Sequence, residues 1–149
     1  MLNFKIDQLK SSFFDSAKVV SALDKATRKA LSKFGAFVRT SARSSIRRRK
    51  GISKPGNPPN SHQGDLKKIL FAYDAQRQSV VVGPLRFSGK RGFATKALEH
   101  GGTMVVERKR KSRVIQKTVQ VAARPFMAPA FQKNLPQLPE LWRNQLNRS

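Results

Sequence analysis

Cysteine is absent from the chain. Disulfides and thiolate metal sites are thereby excluded. Histidine occurs twice, as His62 and His100, far apart and without metal-ligand spacing. Neither G-x-S-x-G nor H-E-x-x-H is found, and no glycine pattern cradles a phosphate. The GKRG stretch at Gly89–Gly92 is too short for a nucleotide loop. Glu99 adjoins His100, but neighbours on a helix do not face one another. Asp65 and Asp74, which flank one apolar segment, read as solvated charges. No catalytic activity, cofactor or metal is expected. Long apolar runs are missing too, so no membrane span is expected. The first ten residues, MLNFKIDQLK, alternate and carry Asp7, unlike the apolar centre of a signal peptide. A soluble protein with no membrane partner is the expectation.

Acidic residues are the other scarcity. There are 8 Asp and Glu against 31 Lys and Arg, a net charge of +23. Such an excess points to a polyanion: nucleic acid, an acidic protein surface or anionic lipid. The distribution is uneven, with 11 bases and no acid between Asp24 and Asp65. Further clusters lie in RFSGKRG (Arg86–Gly92) and ERKRKSR (Glu107–Arg113). The plain alternative is a solvated surface that keeps the chain dispersed. Aromatic residues are sparse beside these bases, with Phe87 and Phe93 flanking one loop. Single-strand binders offer stacking platforms there, so the nucleic-acid reading is weakened. No helix-turn-helix or zinc-finger signature is visible.

With 149 residues and 38% hydrophobic content, the chain suits one domain with one modest core. Leu2–Asp7 reads as a short strand, and Phe13 and Phe14 as a staple at a helix start. The clearest helix runs from Ser21 to Ile46, with Ser21 and Asp24 fitting a capping box and a start one turn earlier left open. Leu23, Ala26, Ala30, Phe34, Phe37, Val38, Ser41 and Ser45 form one stripe at helical spacing. Lys25, Arg28, Lys29, Arg39 and Arg43 fall opposite. Gly35 within this helix costs about 1 kcal/mol against alanine, which a close packing contact would explain.

Leu66–Asp74 and Ser79–Pro84 read as a hairpin whose second strand is buried. A short glycine-capped helix follows in FATKALEHGG (Phe93–Gly102). A second hairpin pairs Thr103–Arg108 with Arg113–Val121. A helix with Pro125 in its first turn presents Phe126, Met127, Ala130 and Phe131 as an apolar face. The last helix, from Pro139, offers Leu141, Trp142 and Leu146, with Leu138 just before it. The order predicts an α+β fold: a small, mostly antiparallel sheet of about four strands with the long helix and a C-terminal helix packed on it.

Between long helix and first hairpin lies RRRKGISKPGNPPNSHQGD. A purely electrostatic arm needs no fixed shape. Three prolines beside glycine and asparagine restrict the backbone and set turns. They also lower the ordering cost when a loop docks. The segment 47–64 therefore reads as a shaped docking loop with a basic root at Arg47–Lys50.

This stretch, followed by LKKILFAYD and SVVVGP, resembles the neck and tail-completion proteins of long-tailed bacteriophages. These are also described as minor tail or head–tail joining proteins with a tail-terminator-like fold. The further matches are ALEHGG (Ala97–Gly102) and AARPFMAPAF (Ala122–Phe131). Together they run from Phe13 to Phe131. The extension 132–149 lies beyond them, and the family does not require the high positive charge.

The resemblance implies a structural virion protein, made in the host cytoplasm, that forms a ring, usually a hexamer, completing the tail and joining it to the head. Its partners would be copies of itself, a tail-tube protein, a head connector or stopper protein, and double-stranded DNA in the lumen. A ring uses two different surfaces of each subunit. The expected subunit interface comprises Ser53, Pro55, Gly56, Pro58, Pro59, His62, Glu99 and Arg124, with an ion pair between Glu99 and Arg124. The corner Arg124–Pro129 is open to two readings, core or interface. Contacts to DNA or to an acidic partner are expected from Arg47, Arg48, Arg49, Lys50, Lys90, Arg91, Arg108, Lys109, Arg110 and Lys111. The alternative is a stand-alone basic nucleic-acid-binding protein.

Overall fold

The computed structural model describes residues 16–85, 94–110 and 113–147, with the backbone alone for residues 16, 107–110 and 113. Helix α1 (Ser16–Ser45) leads to the long loop and a 3-10 turn (Asp65–Lys67). Strands β1 (Ile69–Asp74) and β2 (Ser79–Pro84) come next, then α2 (Ala94–His100). Strands β3 (Gly102–Arg110) and β4 (Arg113–Val121) precede α3 (Met127–Asn134). A 3-10 turn (Leu135–Gln137) joins α3 to α4 (Leu138–Leu146).

The 30 residues of α1 are the spine. Ala26, Ala30, Phe34, Val38 and Ala42 recur every fourth position and all are buried, with Ile46 closing the row. Each four-residue step turns by about 40° on a helix of about 3.6 residues per turn, so the row winds slowly along α1 as a continuous ridge. The alanines let neighbouring elements approach, and β1, β2, α3 and α4 all pack on this helix. Ile69, Phe126, Ala130 and Leu141 complete the core, with Trp142, Met127 and Val80 packed around it. Full burial of Phe126 or Ile46 contributes about 1.5–3 kcal/mol each.

Several expectations are corrected. Helix α1 already runs at Ser16, so Ser21 and Asp24 are interior and form no capping box. Asp24 instead accepts a hydrogen bond from the Gln78 side chain at the hairpin tip, 2.7 Å. Leu23, placed on the buried stripe, is 44% exposed. Arg28 and Arg39 are not on a bare outer face: their guanidinium groups lie over Tyr73 and Phe71, at 6.0 and 5.7 Å from the ring centres. Helix α3 begins at Met127, so Pro125 precedes it. Pro129 occupies the first turn instead, where its missing N–H leaves no gap. Leu146 and Phe131 keep nearly half of their surface open to solvent; Phe131 meets Phe34 edge-on, centroids 5.7 Å apart. The strand at Leu2–Asp7 and the Phe13–Phe14 staple lie outside the described residues.

Among the described residues, the strands expected in one sheet of about four form two separate hairpins, β1–β2 and β3–β4, each antiparallel. The α+β class holds; the single sheet does not. The cause is patterning. In β1–β2, Phe71 pairs with Val82 and Tyr73 with Val80 on the face toward α1. Leu70 and Val81 face away, Val81 being 64% exposed, so β2 is not a buried strand. Hairpin β3–β4 has apolar residues at adjacent positions, Val105–Val106 and Val114–Ile115, which place them on both faces. It has no single apolar side to lay on α1.

Candidate interaction site

The loop after α1 has a fixed shape. The Arg47 carbonyl accepts from the Ser61 amide, 2.9 Å, as Arg47 and Asn60 bridge in parallel. The Asn60 side chain donates to the Gly51 carbonyl, 2.8 Å. The Gly56 amide donates to the Ala123 carbonyl, 2.9 Å, tying the loop to the segment before α3. Pro59 and Ser61 are buried, Ser53 and Pro58 half-buried, and Pro55, Gly56 and His62 exposed. Much of the expected interface is thus packed within the chain, and an exposed rim remains.

Arg124 is the clasp. Its Nε donates to the Ser53 carbonyl, 2.9 Å, and its guanidinium to the Ala122 carbonyl, 3.0 Å. Arg124→Ala is expected to cost about 2 kcal/mol and to raise hydrogen exchange in the loop, with Arg124→Lys restoring little because lysine lacks the planar fork. Unchanged exchange at Gly56 and Ser61 in Arg124→Ala would show that the clasp does not hold the loop.

Glu99 does not pair with Arg124, which corrects the expected ion pair. Its carboxylate accepts from the amides of Phe126 (2.9 Å), Met127 (3.1 Å) and Ala128 (2.8 Å). These are unsatisfied donors at the start of α3, which a carboxylate both bonds and stabilises through the helix dipole. Helix α2 ends there because Gly101 adopts φ +75, and an added Cβ would meet the Ala123 nitrogen and Val121 oxygen at 3.2 Å. The sharp turn holds Glu99 against α3. A charge-swap pair, Glu99→Arg with Arg124→Glu, is expected to show no favourable coupling in a double-mutant cycle. The Arg124–Pro129 corner resolves to core at Phe126.

The basic residues separate into groups. Arg47, Arg49 and Lys54 line a cleft of about 610 Å³ between the end of α1 and the loop. Arg48 and Lys50 are exposed and do not line it. Arg108, Lys109 and Arg110 lie at the far end of β3. Lys90, Arg91 and Lys111 lie outside the described residues.

Sequence reasoning missed two features. The first is Asn134, a buried amide that donates to Ser41 Oγ (2.8 Å) and the Ala130 carbonyl (2.7 Å), joining α3 to α1. Nothing in its local sequence marks it. The second is the exposure of β3–β4. Val105 is 61% exposed and Ile115 50%, while Val106, Val114 and Val119 are also open to solvent. The paired Val-Val and Val-Ile were a signal for it. Nine residues per strand give a hairpin about 30 Å long. An apolar cleft of about 390 Å³, lined by Phe34, Val38, Val80, Val82, Met127 and Phe131 with Glu99 and His100 at its edge, lies on the body.

Among the described residues, no group of three or more His, Cys, Asp or Glu is arranged to hold a metal ion, and no helix is long and apolar enough to cross a membrane. Comparisons with protein-family models, with curated proteins and with solved structures found no match to this chain.

Proposed function

We propose that the chain is a structural virion protein of a long-tailed phage or prophage, forming a ring at the head–tail junction that completes the tail and joins it to the head. The observation that supports this reading best is the exposed β3–β4 arm. A two-stranded hairpin is at best marginally stable by itself in water. This one carries Val105, Val106, Val114 and Ile115 in the open. An apolar arm and an apolar cleft on one chain are two unlike surfaces, the requirement for a head-to-tail contact that closes into a ring. In this reading the arm of one subunit reaches the Val80–Met127–Phe131 cleft of the next. The exposed loop rim, Pro55, Gly56 and His62, faces a neighbour. The role is mechanical rather than catalytic, and the partners are copies of itself, probed as a hexamer, with a tail-tube protein and a head connector.

The net charge of +23 opposes self-association. At physiological salt the Debye length is about 8 Å, so short-range apolar contact can prevail over it.

The test replaces Val105, Val106, Val114 and Ile115 with threonine, which keeps β-branching and removes apolar surface. Monomer stability is expected to change by about 0.5 kcal/mol per site or less, while phage carrying the variant yields free heads and unjoined tails. Normally joined particles would reject the proposal.

A further inference from the structure

We propose that the cleft between the end of α1 and the loop is a phosphodiester site that takes the sugar-phosphate backbone of duplex DNA. Its volume, about 610 Å³, admits a phosphate with its flanking sugars. Arg47, Arg49 and Lys54 line it with Asn57 and Asn60, and no acidic residue does. Among the described residues none of the three cations has an ion-pair partner. All three are exposed.

The placement is not that of a loose basic tail. Arg47 is held by the Ser61 amide on its own carbonyl and follows Ile46, which is fully buried. Alternate residues of an extended segment point to opposite sides, and only Arg47 and Arg49 of the run Arg47–Lys50 line the cleft. Lys54 comes from across the loop, whose far side is tied down by Arg124 at Ser53 and Ala123 at Gly56. Cations on a fixed frame lose less freedom on binding. A plainer role is to balance the partial charge at the C-terminus of α1. That charge is about −0.5, which occupies one cation at most and leaves two.

Two guanidinium groups offer planar forks that suit phosphate and carboxylate oxygens alike, and the asparagine side chains add neutral donors. Duplex DNA is favoured over an acidic protein by its charge density, about one negative charge per 1.7 Å of helix axis, against a cleft lined by three cations and no acid. Contacts of this kind position a duplex without reading its sequence.

The inference does not depend on a ring. It concerns the single chain, so loss of arm-mediated joining would leave it standing, and its failure would leave the arm standing.

The experiment measures binding of the full chain to a fluorescent duplex of about 20 base pairs, across a series of salt concentrations. The cleft variant carries Arg47→Gln, Arg49→Gln and Lys54→Gln. The control carries Lys25→Gln, Lys29→Gln and Lys33→Gln, exposed cations farther back along α1. Both remove the same charge. The contacts of Arg47 to the loop run through its backbone, so the cleft variant keeps its fold, which thermal unfolding verifies. The cleft variant is expected to lose affinity by about ten-fold or more, with the salt slope shallower by about 2–3. The control is expected to lose about three-fold or less. Equal losses would overturn the proposal in favour of bulk charge. Displacement of the duplex by polyglutamate as effectively as by unlabelled DNA would overturn it in favour of an acidic protein partner.

Discussion

Replacing Glu99 with alanine is expected to lower the unfolding free energy by about 3 kcal/mol. The side chain holds three amides at the start of α3, those of Phe126, Met127 and Ala128. Hydrogen bonds to a charged group are worth about 1.5–3 kcal/mol each, although bonds that share one acceptor do not add in full. Truncation leaves the donors of Phe126 and Met127 partly buried and unpaired. For a chain of this size the midpoint of thermal unfolding should fall by about 10 °C. Glu99→Gln keeps one acceptor oxygen and should recover about half of the loss. Glu99→Asp keeps the charge but is one methylene shorter and should recover little, because the bonds need reach as well as charge. Urea denaturation of the three variants checks the order. A loss below about 1 kcal/mol for alanine would mean that water serves these amides equally well. The consequence reaches function, since Glu99, Met127 and Ala128 also border the apolar cleft proposed to receive a neighbour's arm.

Gly35→Ala is expected to destabilise, against the trend for a helix interior. Alanine there would ordinarily gain about 1 kcal/mol. Here a Cβ would stand 2.6 Å from Val80 Cγ2 and 3.1 Å from Phe71 Cδ2. Valine is stiff about χ1, and Val80 is held opposite Tyr73 by the register of the hairpin. The substitution should therefore cost about 1–2 kcal/mol, and Gly35→Leu about 3 kcal/mol by pushing β1–β2 off α1. The decisive measurement is a double-mutant cycle. In a Val80→Ala background the nearest obstacle is gone, and Gly35→Ala should turn neutral or stabilising. If its sign does not change with Val80, the close approach of hairpin and helix is not what retains the glycine.

These two positions show how unevenly the fold was legible. Gly35 carried its own warning: a glycine in the middle of an amphipathic helix needs a reason, and a close contact was the expected one. The row Ala26, Ala30, Phe34 and Val38 was equally plain from its helical spacing, but the expected stripe continues through Ser41 and Ser45, where the structure buries Ala42 and Ile46 instead. The glycine turn at Gly101 and the shaped character of the proline loop were also local properties, since φ restrictions act within a residue or two. Glu99 was different. It was noticed, and Arg124 with it, but they were joined to each other by opposite charge. The carboxylate instead found three amides of a helix start, a partner with no side chain and therefore no letter in the sequence. Arg124 likewise bonds carbonyls of the loop and its own segment.

The candidate surfaces followed the same division. Charge excess, lack of acid between Asp24 and Asp65, and the absence of cysteine could be counted along the chain. Counting did not separate Arg47 and Arg49 from Arg48 and Lys50, because that depends on which side of the backbone meets the cleft. Nor did it distinguish one sheet from two hairpins. The sequence by itself determined the periodic elements, the breaks between them and the electrostatic sign of the surface, all of which arise from forces between near neighbours. Tertiary structure alone decided which hairpin lies on α1 and which stands clear, where Glu99 and Arg124 place their hydrogen bonds, and which cations share a cleft. Those outcomes depend on distant segments meeting through backbone groups that every residue carries.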